Sequence, residues 1–181
     1  RLFQIYERLA RQSLNEAGGS VDRLREALIY LNGALAEQPT NRELAAERKL
    51  ALSFVKGADA RARGDWLAAA EEWEKIYAQQ RDYQGAVLAG WLKEARPQAA
   101  RQAIAEARGS VKQLEQAAGY LDRAIVDWPE DEGLRQDRAL VAAYLDGAMA
   151  FEAGYWNQAI RYWGPLFAAQ PGYQDGARRA T

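Results

Sequence analysis

Residues 147–174 read GAMAFEAGYWNQAIRYWGPLFAAQPGYQ, and ninety positions earlier residues 57–84 read GADARARGDWLAAAEEWEKIYAQQRDYQ. Gly57-Ala58, Gly64, Trp66, Ala69, Trp73 and Tyr83-Gln84 return as Gly147-Ala148, Gly154, Trp156, Ala159, Trp163 and Tyr173-Gln174. The match runs outward to Gly19-Ser20-Val21, which returns as Gly109-Ser110-Val111. About a third of positions are identical between 19–90 and 109–180. A period of this kind marks one supersecondary unit copied and stacked, each copy too open to bury its apolar face alone. The expected organisation is one helical-repeat domain over 1–181, duplicated as 1–90 and 91–180.

The punctuation of the chain predicts helices throughout. Ala, Leu, Glu, Gln and Arg dominate, β-branched residues are sparse, and no strand pattern interrupts them. Gly18-Gly19-Ser20 and Arg108-Gly109-Ser110 read as a helix end followed by a Ser cap, with Ser110 and Gln113 at capping-box spacing. Pro39-Thr40-Asn41 and Pro129-Glu130-Asp131 form a second stop, and Gly64-Asp65 a third, where the counterpart Tyr155 lacks a capping oxygen. Helices are expected over 1–17, 20–37, 41–63, 66–79, 82–107, 110–127, 131–153, 156–169 and 173–180. Pro97 is expected to kink or briefly break its helix, and Pro165 to bend the eighth. Leu24, Ala27, Leu31 and Ala34, and again Leu114, Ala117, Leu121 and Ala124, form narrow apolar stripes with small residues suited to close helix packing. Short loops between such helices make antiparallel hairpins the natural unit.

Composition narrows the chemistry. The 181 residues carry 49% hydrophobic and 27% charged side chains, ordinary for a globular chain. A formal net charge of −1, with both signs interspersed, gives no electrostatic footprint for nucleic acid. No apolar run reaches membrane-spanning length, and no signal peptide stands at the start. The chain opens at Arg1 without Met, so it reads as a segment of a longer protein. There is no Cys and no His, which removes thiolate nucleophiles, Cys-based zinc sites and the commonest general base and transition-metal ligand. Carboxylates remain, but no loop shows the alternating acidic ligands of a calcium site. Neither a metal nor a cofactor is expected, nor is enzymatic activity.

The pattern of small residues, turn glycines and rings resembles the tetratricopeptide repeat. Gly147, Gly154, Trp156, Ala159, Trp163 and Pro171 follow its order of small residue, turn Gly, aromatic, Ala, aromatic and closing Pro. Gly57, Gly64, Trp66, Ala69 and Trp73 do the same, with Arg81 where Pro is expected. The intervening hairpins keep the second-helix spacing through Pro39 and Pro129. The departure is in length: equivalent Ala residues stand at 27, 69, 117 and 159, wider apart than the 34 residues of a standard repeat. The resemblance implies an all-α solenoid of stacked antiparallel hairpins, a right-handed superhelix of about eight to nine helices.

It also implies a protein-interaction scaffold or sensor, part of a larger cytoplasmic protein, taking a protein or peptide partner in a concave groove. By spacing, the groove positions are Phe54, Ala58, Arg61 and Ala62, then Tyr144, Ala148, Phe151 and Glu152, with Gln12, Glu16, Gln102 and Glu106 from the intervening hairpins. Of these only Arg61 suits the family's carboxylate clamp. Trp66, Trp73, Trp156 and Trp163 occupy repeat positions and read as packing. Trp91 and Trp128 break the repeat, their counterparts being Arg1 and Gln38, and so are candidate surface anchors. Tyr83 and Tyr173 read as seats for the next helix, and Glu71-Glu72 as a solvated face. The alternative is self-assembly, in which open end hairpins stack head to tail as homo-oligomers or filaments.

Overall fold

A computed structural model describes residues 1–174. All regular structure among them is α-helical: α1 (Leu2–Ala17), α2 (Val21–Glu37), α3 (Arg42–Ala62), α4 (Trp66–Gln79), α5 (Ala86–Ala107), α6 (Val111–Asp127), α7 (Glu132–Glu152) and α8 (Trp156–Ala169). The expected ninth helix, 173–180, lies outside the described residues except for Tyr173 and Gln174, which belong to a turn. No described helix is long and apolar enough to cross a membrane. The chain divides into two compact units, Arg1–Ala95 and Arg96–Thr181.

Side-chain oxygens start most of these helices. Asn41 accepts from the Leu44 amide at 3.2 Å and Asp65 from Ala68 at 3.1 Å. Asp131 accepts from Leu134 at 3.1 Å, while the Ser20 and Ser110 bonds are longer, at 3.5 Å. Each satisfies one of the orphan donors of a first helical turn. Tyr155 supplies no such bond to α8. Both α5 and α8 continue through their prolines, Pro97 and Pro165, without interruption. The fifth helix begins at Ala86, four residues later than expected, because Gln84 and Gly85 adopt positive φ of 56° and 62° and cannot continue a helical turn.

In the first unit α1 packs on α2, α2 on α3 and α3 on α4. Ala10, Leu31, Ala34 and Leu44 form a wholly buried knot, with Phe3, Tyr6 and Leu14 against it. The other half of the core centres on Trp73. Its indole N–H donates to the Phe54 carbonyl at 3.2 Å, and its ring lies so close to α3 that a Cβ on Gly57 would fall inside it. That contact explains the sixteen-residue step from Gly to the second Trp: the ring needs a missing side chain opposite. Trp91 from the start of α5 then covers Phe54 and Trp73, with centroids 5.0 and 5.1 Å away.

The second unit repeats the arrangement with α6 on α7 and α7 on α8. Trp163 donates to the Tyr144 carbonyl at 3.0 Å, and Gly147 leaves room for its indole. Arg96 is nearly buried and reaches Asp127 at 2.6 Å. Around Trp163 the cover differs: Phe151, where the first unit has Arg61, lies 5.7 Å from the indole.

Candidate functional site

In the first unit the C-terminal turn of α3, the first turn of α4 and the start of α5 surround a cleft of about 560 Å³, lined by Ala58, Arg61, Ala62, Trp66, Trp91 and Glu94. Small side chains at 58 and 62 leave the floor open, and Asp65, capping α4, fixes where Trp66 emerges. Arg61 is the organising charge. Its guanidinium donates to Glu94 at 2.7 Å and lies 5.3 Å from the Trp91 centroid and 6.0 Å from that of Trp66. A planar cation between two indoles is held by the ring quadrupoles without losing its donors. The Glu94 pair is half exposed, and such ion pairs are worth roughly 0–1 kcal/mol. A better-placed carboxylate can therefore displace it.

The sequence-expected groove residues divide sharply. Ala58, Arg61 and Ala62 line the cleft. Phe54 does not: it is wholly buried beneath Tyr83 and Trp91. Tyr144 is also core, stacked near Trp163 and Tyr173. Neither presents a side chain to a partner, because the ring opposite the Trp closes the hairpin. Ala148 is buried, whereas Phe151 and Glu152 are exposed. Gln12 and Glu16 bond to each other at 2.9 Å, as Gln102 and Glu106 do, and Glu16 also receives Arg23 at 2.7 Å. Those exposed pairs are engaged within their own unit. Trp91 is packed rather than free, while Trp128 stands exposed at the end of α6.

No protein-family model, curated protein or solved structure matches the chain. The likeness to tetratricopeptide repeats therefore rests on the residues quoted and on the helical hairpins they form.

Two features escape a reading of the sequence by repeat position. Trp156 reads as packing, yet it is exposed, its ring edge-on to Phe151 at 4.8 Å, whereas Trp66 in the same register is half-buried beside Arg61. The signal was present in the neighbours, since Asp59, Arg61 and Asp65 become Met149, Phe151 and Tyr155. The second feature is a clamp. Gln84 accepts from the Gly19 amide at 3.0 Å and reaches back to the Leu14 carbonyl at 3.5 Å. Gln174 repeats it on Gly109 and Ile104, at 2.8 Å each. The recurring Tyr-Gln pair is thus structural: the glutamine ties the turn after the hairpin to the turn before it. The tyrosines seat beside it, their hydroxyls buried with no hydrogen-bond partner among the described residues. Burial pushes both phenols upward, Tyr173 to about 12.

Proposed function

We propose that this chain is a non-catalytic protein-interaction module, a tetratricopeptide-like stack of hairpins whose cleft beside Arg61 takes an acidic, aromatic-bearing segment of a protein partner. The observation that carries the reading is the guanidinium of Arg61 held between Trp66 and Trp91 and balanced by one displaceable surface carboxylate. A partner carboxylate replacing Glu94 gains a preorganised fork of donors, and an adjacent ring gains two indole edges. Aromatic and Arg side chains together are the usual carriers of interface energy. The lack of His and Cys removes the commonest general base and the thiolate nucleophile.

Selection from a random peptide library displayed against the full chain tests this. Enriched peptides should combine Asp or Glu with a nearby aromatic residue, and Arg61→Glu should abolish their binding while leaving the helical spectrum intact. Enriched peptides that bind Arg61→Glu and Trp66→Ala as well as the parent would refute the cleft as the site.

A further inference from the structure

The α2–α3 and α6–α7 turns are one backbone made twice, and the second carries a surface that the first lacks. Gln38 and Trp128 close their helices at φ of −134° and −133°. Their amides donate to the carbonyls of Ala34 and Ala124 at 2.9 and 2.8 Å, and the amides of Asn41 and Asp131 donate to the Gln38 and Trp128 carbonyls at 3.2 Å each. Asn41 and Asp131 then cap the helix that follows. A turn that forms with glutamine does not need an indole, so folding alone leaves Trp128 unexplained.

Trp128 is 46% exposed, and Val126, where the first unit has Ala36, is 80% exposed. The charge beside them changes in concert. Gln38-Pro39-Thr40-Asn41-Arg42 becomes Trp128-Pro129-Glu130-Asp131-Glu132. Residues 127–135 carry four carboxylates and one guanidinium, net −3, where residues 37–45 carry two and one, net −1. Arg96 pairs with Asp127 at 2.6 Å, and Arg135 donates to the Pro129 carbonyl. Asp131 is used as the cap of α7, and Glu132 suits its first turn as Glu43 suits that of α3. Those roles account for neither Glu130 nor the ring. We propose that the α6–α7 turn is a docking surface for a basic segment of a protein partner, with an Arg side chain laid on the Trp128 indole, its guanidinium meeting Glu130 or Glu132, and an adjacent apolar residue covering Val126. A guanidinium can stack on an indole and still fork to a carboxylate, whereas an acidic segment is repelled here. This inference stands independently of the Arg61 cleft, which favours the opposite charge.

Random displayed peptides, enriched on the full chain and then depleted on its Trp128→Gln variant, test this. Peptides that survive depletion should carry Arg or Lys beside an apolar residue. Each should bind Trp128→Gln about tenfold or more weakly than the parent, the effect of losing an anchor. Glu130→Thr with Glu132→Arg should weaken the same peptides about tenfold at low ionic strength and less at high, because exposed charges are screened. Arg61→Glu should leave them bound, which separates this surface from the cleft. Each substitution at the turn installs the residue that the first unit carries there, so the fold is kept, and the urea midpoint checks this. No survivors after depletion, survivors without Arg or Lys, survivors that bind Glu130→Thr with Glu132→Arg as tightly as the parent, or survivors that need Arg61 would each overturn the proposal.

Discussion

Replacing Gly57 by Ala sets two opposed effects against each other, and the structure decides which prevails. In a bare helix the change is favourable by about 1 kcal/mol, because Gly loses more backbone freedom than Ala. In α3 the new methyl group would lie within the indole of Trp73. Trp73 has no exposed surface and is boxed in by Trp91 at 5.1 Å, so it cannot swing aside. Overpacking of this kind costs about 1–3 kcal/mol. Pushing the ring away also strains its 3.2 Å bond to the Phe54 carbonyl, worth about 1 kcal/mol. The net expectation is a loss of about 1–3 kcal/mol. Gly147→Ala meets the same geometry at Trp163, but that ring is only half-buried and has room to yield, so its loss should be smaller. Gly90, exposed within α5 with nothing near its missing Cβ, is the internal control: Ala there should stabilise. Urea unfolding followed by tryptophan fluorescence measures all three. If Gly57→Ala stabilises as Gly90→Ala does, the account of the glycine–tryptophan step is wrong.

Three further outcomes follow from the turns and buried polar groups. Gln84→Gly keeps the left-handed turn, where the extra backbone freedom of Gly is offset by relief of the positive φ of Gln84; leaving the buried Gly19 amide unpaired should cost about 1–3 kcal/mol, read by thermal unfolding. Tyr83→Phe removes a buried hydroxyl that has no hydrogen-bond partner among the described residues and should raise stability by about 1 kcal/mol; a drop in the urea midpoint would refute this. Burial raises the carboxyl of Glu47, opposed by Arg11 and reinforced by Glu43 and Glu7. A carboxyl raised on folding binds more protons in the folded state, so its ionisation costs stability as pH climbs past the ordinary carboxylate range. Glu47→Gln should therefore raise Tm near neutral pH, and the gain should vanish in acid.

The helices were legible because their starts are chemical. Asn41, Asp65 and Asp131 cap where their oxygens predict, and the stripe through Leu24, Ala27, Leu31 and Ala34 is buried along its whole length. The start of α5 was not legible, since a Gln at positive φ carries no compositional mark and its reason lies in a hydrogen bond across sixty-five residues. For the candidate cleft, Arg61 stood out by charge alone. Phe54 and Tyr144 were misplaced for a physical reason: family spacing puts them on the inner helix, but it does not say that Trp91 will pack over the first or that Trp163 and Tyr173 will flank the second. Trp66 and Trp156 occupy one repeat position and differ in exposure, so the environment of a ring depends on the helix laid against it, which no local spacing encodes.

The stacking of Trp73 on Trp91 gives the first unit its own optical label. Two indoles with centroids 5.1 Å apart couple their excited states, producing a split circular-dichroism band and mutual quenching. The ring neighbours of Trp163 are Tyr144, Phe151 and Phe167, which pass energy to an indole without splitting its transitions. Melting of the first unit therefore erases an exciton signal that melting of the second leaves in place, and the loss of the first can be timed on its own without attaching a dye.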